Sequence, residues 1–133
     1  MSLAWEENHR RYDLVNTALA EVARTGRPDI STNLAGEIDE VFGDFHAFLC
    51  DVRRRWYLTF DARLDFLLEN PAPDLDRAVA DLWRDLDREW PAARVLLDAH
   101  PARTAVDTHH RDALLAATGV DQFDLHARTR RVS

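Results

Sequence analysis

Two pairs of side chains have spacings that suit metal chemistry. His46 and Cys50 stand at i and i+4 within an apolar stretch. On a helix the imidazole and the thiolate then lie one above the other, within reach of one soft cation. Glu6 and His9 stand at i and i+3, and Asp107 and His110 repeat that spacing with a shorter carboxylate. Carboxylate-x-x-His is the unit that projects into the centre of a di-iron bundle. A plainer reading stands beside each pair. Cysteine packs as a small apolar group, and His9 and His46 suit the edge of a core. Two ligands fall short of the four that a structural zinc takes, and no third or fourth accompanies His46 and Cys50. A di-iron centre needs carboxylates from two more helices, whereas the inward stripes of the other segments are apolar. The expectation is therefore no metal and no cofactor, with Glu6, His9, His46 and Cys50 the residues that would hold a metal.

Other chemistries lack their residues. All 17 bases are arginine, which removes Schiff-base lysines and the phosphate-binding lysine of a P-loop. Of the three serines, Ser2, Ser31 and Ser133, only Ser31 lies within the body, and no Gly-x-Ser-x-Gly surrounds it. Four scattered glycines build no phosphate-cradling loop. Arg53-Arg54-Arg55 is no single patch, because three consecutive helical residues fan out over about 200°. An anion site shared with Arg10 and Arg11 is weaker than a solvated face of ion pairs. The balance leans away from an enzyme. An enzyme without a recognisable signature would use a histidine, His9 or His46, as acid or base.

Charge and composition narrow the partners. The net charge is −7, from 24 acids and 17 bases, and an acidic chain repels the phosphate backbone, so nucleic acid is not expected. No apolar run approaches the roughly 20 residues of a membrane span, and no signal-like apolar region follows the start. Cys50 is the only cysteine, which excludes an intrachain disulfide and suits a reducing, cytoplasmic setting. Hydrophobic residues at 46% and charged residues at 31% are ordinary for a folded domain.

These residues must be positioned by helices. From Asp44 to Asn70, Phe45, Phe48, Leu49, Val52, Trp56, Phe60, Leu64 and Leu67 recur at steps of three and four, one face of a long helix with Asp44 as its N-cap. Asp51, Arg54, Asp61 and Asp65 fall on the other face. An earlier helix, about Ala4 to Thr25, carries the stripe Trp5, His9, Tyr12, Val15, Leu19 and Val22, closed by Gly26 and Pro28. Residues 27–43 are irregular, with one short amphipathic piece at Leu34, Ile38, Val41 and Phe42. After Asn70-Pro71-Ala72-Pro73, Asp74 caps a third helix with Leu75, Val79, Leu82, Leu86 and Trp90, which Pro91 kinks or breaks. Thr104 and Asp107 form a capping box for a fourth helix that ends at Gly119. Residues 121–133 read as a poorly ordered tail, with Phe123 its one apolar foothold. The expected fold is all-α: residues 1–133 form a single-domain bundle of four main helices, the third kinked or broken, with possible short extra helices.

Four tryptophans, Trp5, Trp56, Trp83 and Trp90, are many for this length. Trp83 and Trp90 stand two turns apart with Leu86 between them. If all three joined the core, their helix would bury a very wide face. The sequence thus points to a non-enzymatic helical interaction module that self-associates through Trp83, Leu86 and Trp90. The homodimer is the expected form. A bundle that binds a small molecule or a metal is the alternative.

Overall fold

The computed structural model describes residues 2–70 and 72–132. These residues form seven helices: α1 (Leu3–Thr25), α2 (Thr32–Phe42), α3 (Phe45–Glu69), α4 (Leu75–Glu89), α5 (Pro91–Asp98), α6 (Ala105–Thr118) and α7 (Gln122–Val132). The class is all-α, as the periodicity requires. α2, α5 and α7 are shorter elements that accompany α1, α3, α4 and α6.

The helix ends follow local chemistry. Ala47 N–H donates to Asp44 Oδ1 at 2.7 Å, and Arg77 N–H donates to Asp74 Oδ1 at 3.1 Å, so both aspartates cap as their positions imply. Pro71, the first proline of the breaker, lies outside the described residues. Both bonds of the Thr104–Asp107 capping box are made. Gly26 and Gly119 sit at φ 70° and 77°, the left-handed C-cap that a side chain would strain. Pro91 breaks the third helix rather than kinking it. It becomes the first residue of α5, where a missing N–H costs no helical bond. Residues 27–43, irregular by sequence, contain the capped helix α2, with the Ser31 hydroxyl as its N-terminal acceptor.

The chain gathers into two compact units, Met1–Arg53 with Pro91–Pro101, and Arg54–Trp90 with Ala102–Ser133. In the first, α1 packs on α2 and α5. Its buried apolar residues include Leu14, Val15, Ala18, Leu19, Val22, Ile38, Phe48, Val52, Ala93 and Leu96. Phe48 meets Phe42 edge-on at 5.5 Å. Arg53 is buried, and its Nη2 donates to the carbonyl of His100 at 2.6 Å, just past the end of α5. A cation there complements the negative end of the helix dipole. The stripe drawn along α1 is corrected in its first half, where Trp5 and Tyr12 stay about half exposed, at 51% and 52%. Periodicity places residues on one face, but burial needs a neighbour, and Leu3–Arg10 all lie on the surface. Local bonds hold this end: the Ser2 cap, a Trp5–His9 ring stack at 5.0 Å and a His9–Asp13 contact at 3.5 Å.

The second unit is built around aromatic rings. Trp56 meets Trp83 edge-on at 4.3 Å, and Phe60 meets Trp83 at 5.4 Å. Leu64, Val79, Leu86, Leu114, Val120 and Leu125 complete the core. The reading of residues 121–133 as a poorly ordered tail is corrected over Gln122–Val132, which is helical and packs on α6 and α4. Its hold comes from Leu125 and Gln122, 1% and 2% exposed. A glutamine is not read as an anchor until its hydrogen-bond partners are known.

Candidate functional site

The capping box that starts α6 also starts a chain of buried polar groups. Asp107 Oδ2 accepts from the backbone N–H of Thr104 at 2.8 Å and from its hydroxyl at 3.0 Å. Asp107 Oδ1 accepts from the hydroxyl of Tyr57 on α3. One turn after Asp107, His110 points to the same face of α6. Its Nδ1 bonds Oε1 of Gln122 on α7, and its Nε2 lies 2.6 Å from Oδ1 of Asp61 on α3. Gln122 Nε2 donates to Tyr57 Oη at 2.9 Å, which joins the two halves. The order is therefore Asp107, Tyr57, Gln122, His110, Asp61. The Tyr57 and His110 rings stack with centroids 4.2 Å apart, and Phe60 meets the imidazole edge-on at 5.7 Å. Asp107, His110 and Gln122 are buried, whereas the Asp61 side chain is 47% exposed. The chain thus runs from the interior to solvent.

This order is the reverse of a general-base dyad. There the carboxylate lies behind the imidazole, whose second nitrogen faces the substrate. Here the carboxylate faces solvent, and both imidazole nitrogens have partners within the protein. The arrangement orients and fastens α3, α6 and α7, and leaves no ring nitrogen to take a substrate proton.

A second polar contact fixes the start of α7. Arg111 Nη2 lies 2.9 Å from Asp121 Oδ2, and Phe123 N–H donates to Asp121 Oδ1 at 3.0 Å. The Arg111 bond, then the Phe123 N–H, holds the Asp121 carboxyl below the usual carboxylate range. The same bond raises Arg111. Arg103 covers the Phe123 ring at 3.8 Å.

The residues singled out from sequence fare differently. Asp107 and His110 do share a face and a site, held by hydrogen bonds. His46 Nε2 and Cys50 Sγ come to 3.6 Å, the i,i+4 geometry expected. Among the described residues no group of three or more His, Cys, Asp or Glu side chains is placed to hold a metal. Glu6 is exposed, and His9 turns to Asp13 and Trp5. Trp83 and Leu86 are each 2% exposed. They are corrected from interface anchors to core, because α4 buries a face wide enough to take both. Trp90 is half-buried at the end of α4. Sequence reasoning missed Tyr57, Asp61 and Gln122; Asp61 falls on the polar side of the α3 pattern and carries no sign of a partner on another helix.

One open surface accompanies the polar chain. Ala62, Arg63, Phe66, Leu67 and Asn70 of α3, with Ala78, Asp81, Leu82 and Asp85 of α4, line a shallow groove of about 630 Å³. Its floor is apolar. Phe66 stands at its edge, 70% exposed. Arg63 bonds Glu89, Asp81 bonds Arg84 at 3.2 Å, and Asp85 lies 3.9 Å from Arg88.

No family model, curated protein or solved structure matches the chain. No helix among the described residues is long and apolar enough to cross a membrane.

Proposed function

We propose that the chain is a non-enzymatic helical interaction module that pairs with a second copy of itself through the α3–α4 groove. One observation carries this reading: Phe66, a large apolar side chain, stands 70% exposed beside an apolar groove floored in part by Ala62 and Ala78. Two alanines leave room for a ring from outside. Burying one phenylalanine contributes roughly 1.5–3 kcal/mol, and a two-fold contact does so twice. The rim charges suit such a pairing. Arg63 lies on the α3 side, with Asp81 and Asp85 on the α4 side. A two-fold axis that lays α3 of one copy over α4 of the other brings opposite signs together, and the contact is self-complementary.

The polar chain agrees with a module that does no chemistry, since its imidazole is occupied on both nitrogens. The free thiol of Cys50 suits a reducing, cytoplasmic setting. The aromatic anchor thus moves from α4 to Phe66. Sedimentation velocity on the wild type and on Phe66→Asp tests it. The expected result is a concentration-dependent dimer that the substitution abolishes while the helical circular dichroism is kept. A wild-type chain that sediments as a monomer at high micromolar concentration would overturn the proposal.

A further inference from the structure

We infer that Asp61 and His110 form a proton-operated latch that holds α7 onto α3 and α6. The inference is independent of self-association and follows from counting protons along the buried chain. Asp107 already accepts two bonds from Thr104, so its link to Tyr57 is made by the Tyr57 hydroxyl proton. With that proton spent, Tyr57 Oη accepts from Gln122 Nε2, and the amide oxygen of Gln122 therefore faces His110. An amide oxygen only accepts, so His110 Nδ1 must carry a proton. At the other ring nitrogen, Nε2 lies 2.6 Å from Asp61 Oδ1. A bare nitrogen against an ionised carboxylate would set two lone pairs face to face, so that link holds one further proton.

The four links need four protons. Tyr57 and Gln122 supply one each, and His110 with Asp61 supplies the other two. A neutral imidazole beside an ionised Asp61 leaves one link without a proton. The groups facing the imidazole are Asp61, Tyr57 and Phe60 from α3 and the uncharged Gln122 from α7, while Asp107, one turn earlier on α6, acts through Tyr57. Neighbouring Arg111 is held by Asp121 and Asp112. A proton lost from between Nε2 and Asp61 passes through the solvent-facing carboxylate to water. The two lone pairs then repel. The ring either turns away from Asp61 or moves its remaining proton to Nε2, and the second course breaks the bond to Gln122. Either way the polar hold on α7 weakens.

Asp61→Asn separates this latch from every other titrating group. The asparagine N–H can donate to a bare Nε2, so all four links close with a neutral imidazole. Protection of the α7 amides against hydrogen exchange, corrected for the intrinsic effect of pH, is measured from about pH 5 to about pH 8. The wild type is expected to lose protection by roughly tenfold, and Asp61→Asn to lose little. Equal losses in the two proteins would overturn the latch. A second measurement needs no variant. Nitrogen chemical shifts of His110 in the wild type at about pH 5 should show a protonated Nδ1, and a bare Nδ1 with the proton on Nε2 at that pH would overturn it equally.

Discussion

Tyr57 and His110 lie ring on ring, with planes only 10° from parallel. The stack sets the Tyr57 hydroxyl between Asp107 on α6 and Gln122 on α7. One oxygen thereby serves two helices. Apolar rings give the second unit its bulk, and this hydroxyl gives it register.

Removing the hydroxyl alone tests that role. Tyr57→Phe keeps the ring stack but takes one donor from Asp107 and the acceptor from the Gln122 amide. Each is a buried polar group, so the expected loss is about 1–3 kcal/mol in a urea denaturation series. A change below about 0.5 kcal/mol, the usual size for an uninvolved surface position, would show that the hydroxyl bridges nothing in solution.

Trp83 and Trp5 form a contrasting pair. Trp83 is 2% exposed and Trp5 is 51% exposed. Trp83→Ala should cost about 3–5 kcal/mol, the range for a fully buried aromatic, and Trp5→Ala should stay within about 0.5 kcal/mol. Thermal or chemical denaturation of the two variants decides it. Similar costs would mean that α1 has a packing partner near its start.

Acid should loosen the start of α7 through Asp121. Its carboxyl is lowered by the Arg111 bond and the Phe123 N–H. A depressed carboxyl contributes its stability in full above the ordinary carboxylate range, about 4. That contribution is lost as the pH falls through the lower folded value. The carboxyl carbon shift of Asp121, followed by NMR, should therefore titrate below that of a peptide aspartate. Asp121→Asn should remove this part of the acid dependence.

Much of the local structure is legible in the sequence because caps and breakers act over a few residues. Asp44, Asp74, the Thr104–Asp107 box, Gly26, Gly119 and Pro91 each mark an end through chemistry contained in one turn. The Asp107-x-x-His110 spacing likewise reveals that the two share a face. Tyr57 and Asp61, one turn apart on α3, and Gln122 on α7 could not be joined to it, because no helical period links residues on different helices. Asp61 falls on the polar side of the α3 pattern, which reads as solvent-facing until a partner on another helix is known. The same limit hides α7, whose buried positions among the described residues are one leucine and one glutamine. It also explains Trp5 and Tyr12, which keep the helical period of a buried face and remain exposed.

Native mass spectrometry of protein purified without chelator or affinity metal tests self-association most directly. A dimer mass with nothing else bound is predicted, reverting to the monomer mass in Phe66→Asp. A monomer at every concentration, or a monomer carrying a metal or a small molecule, would contradict a self-pairing module and turn attention to His46, Cys50 and the groove as ligand sites.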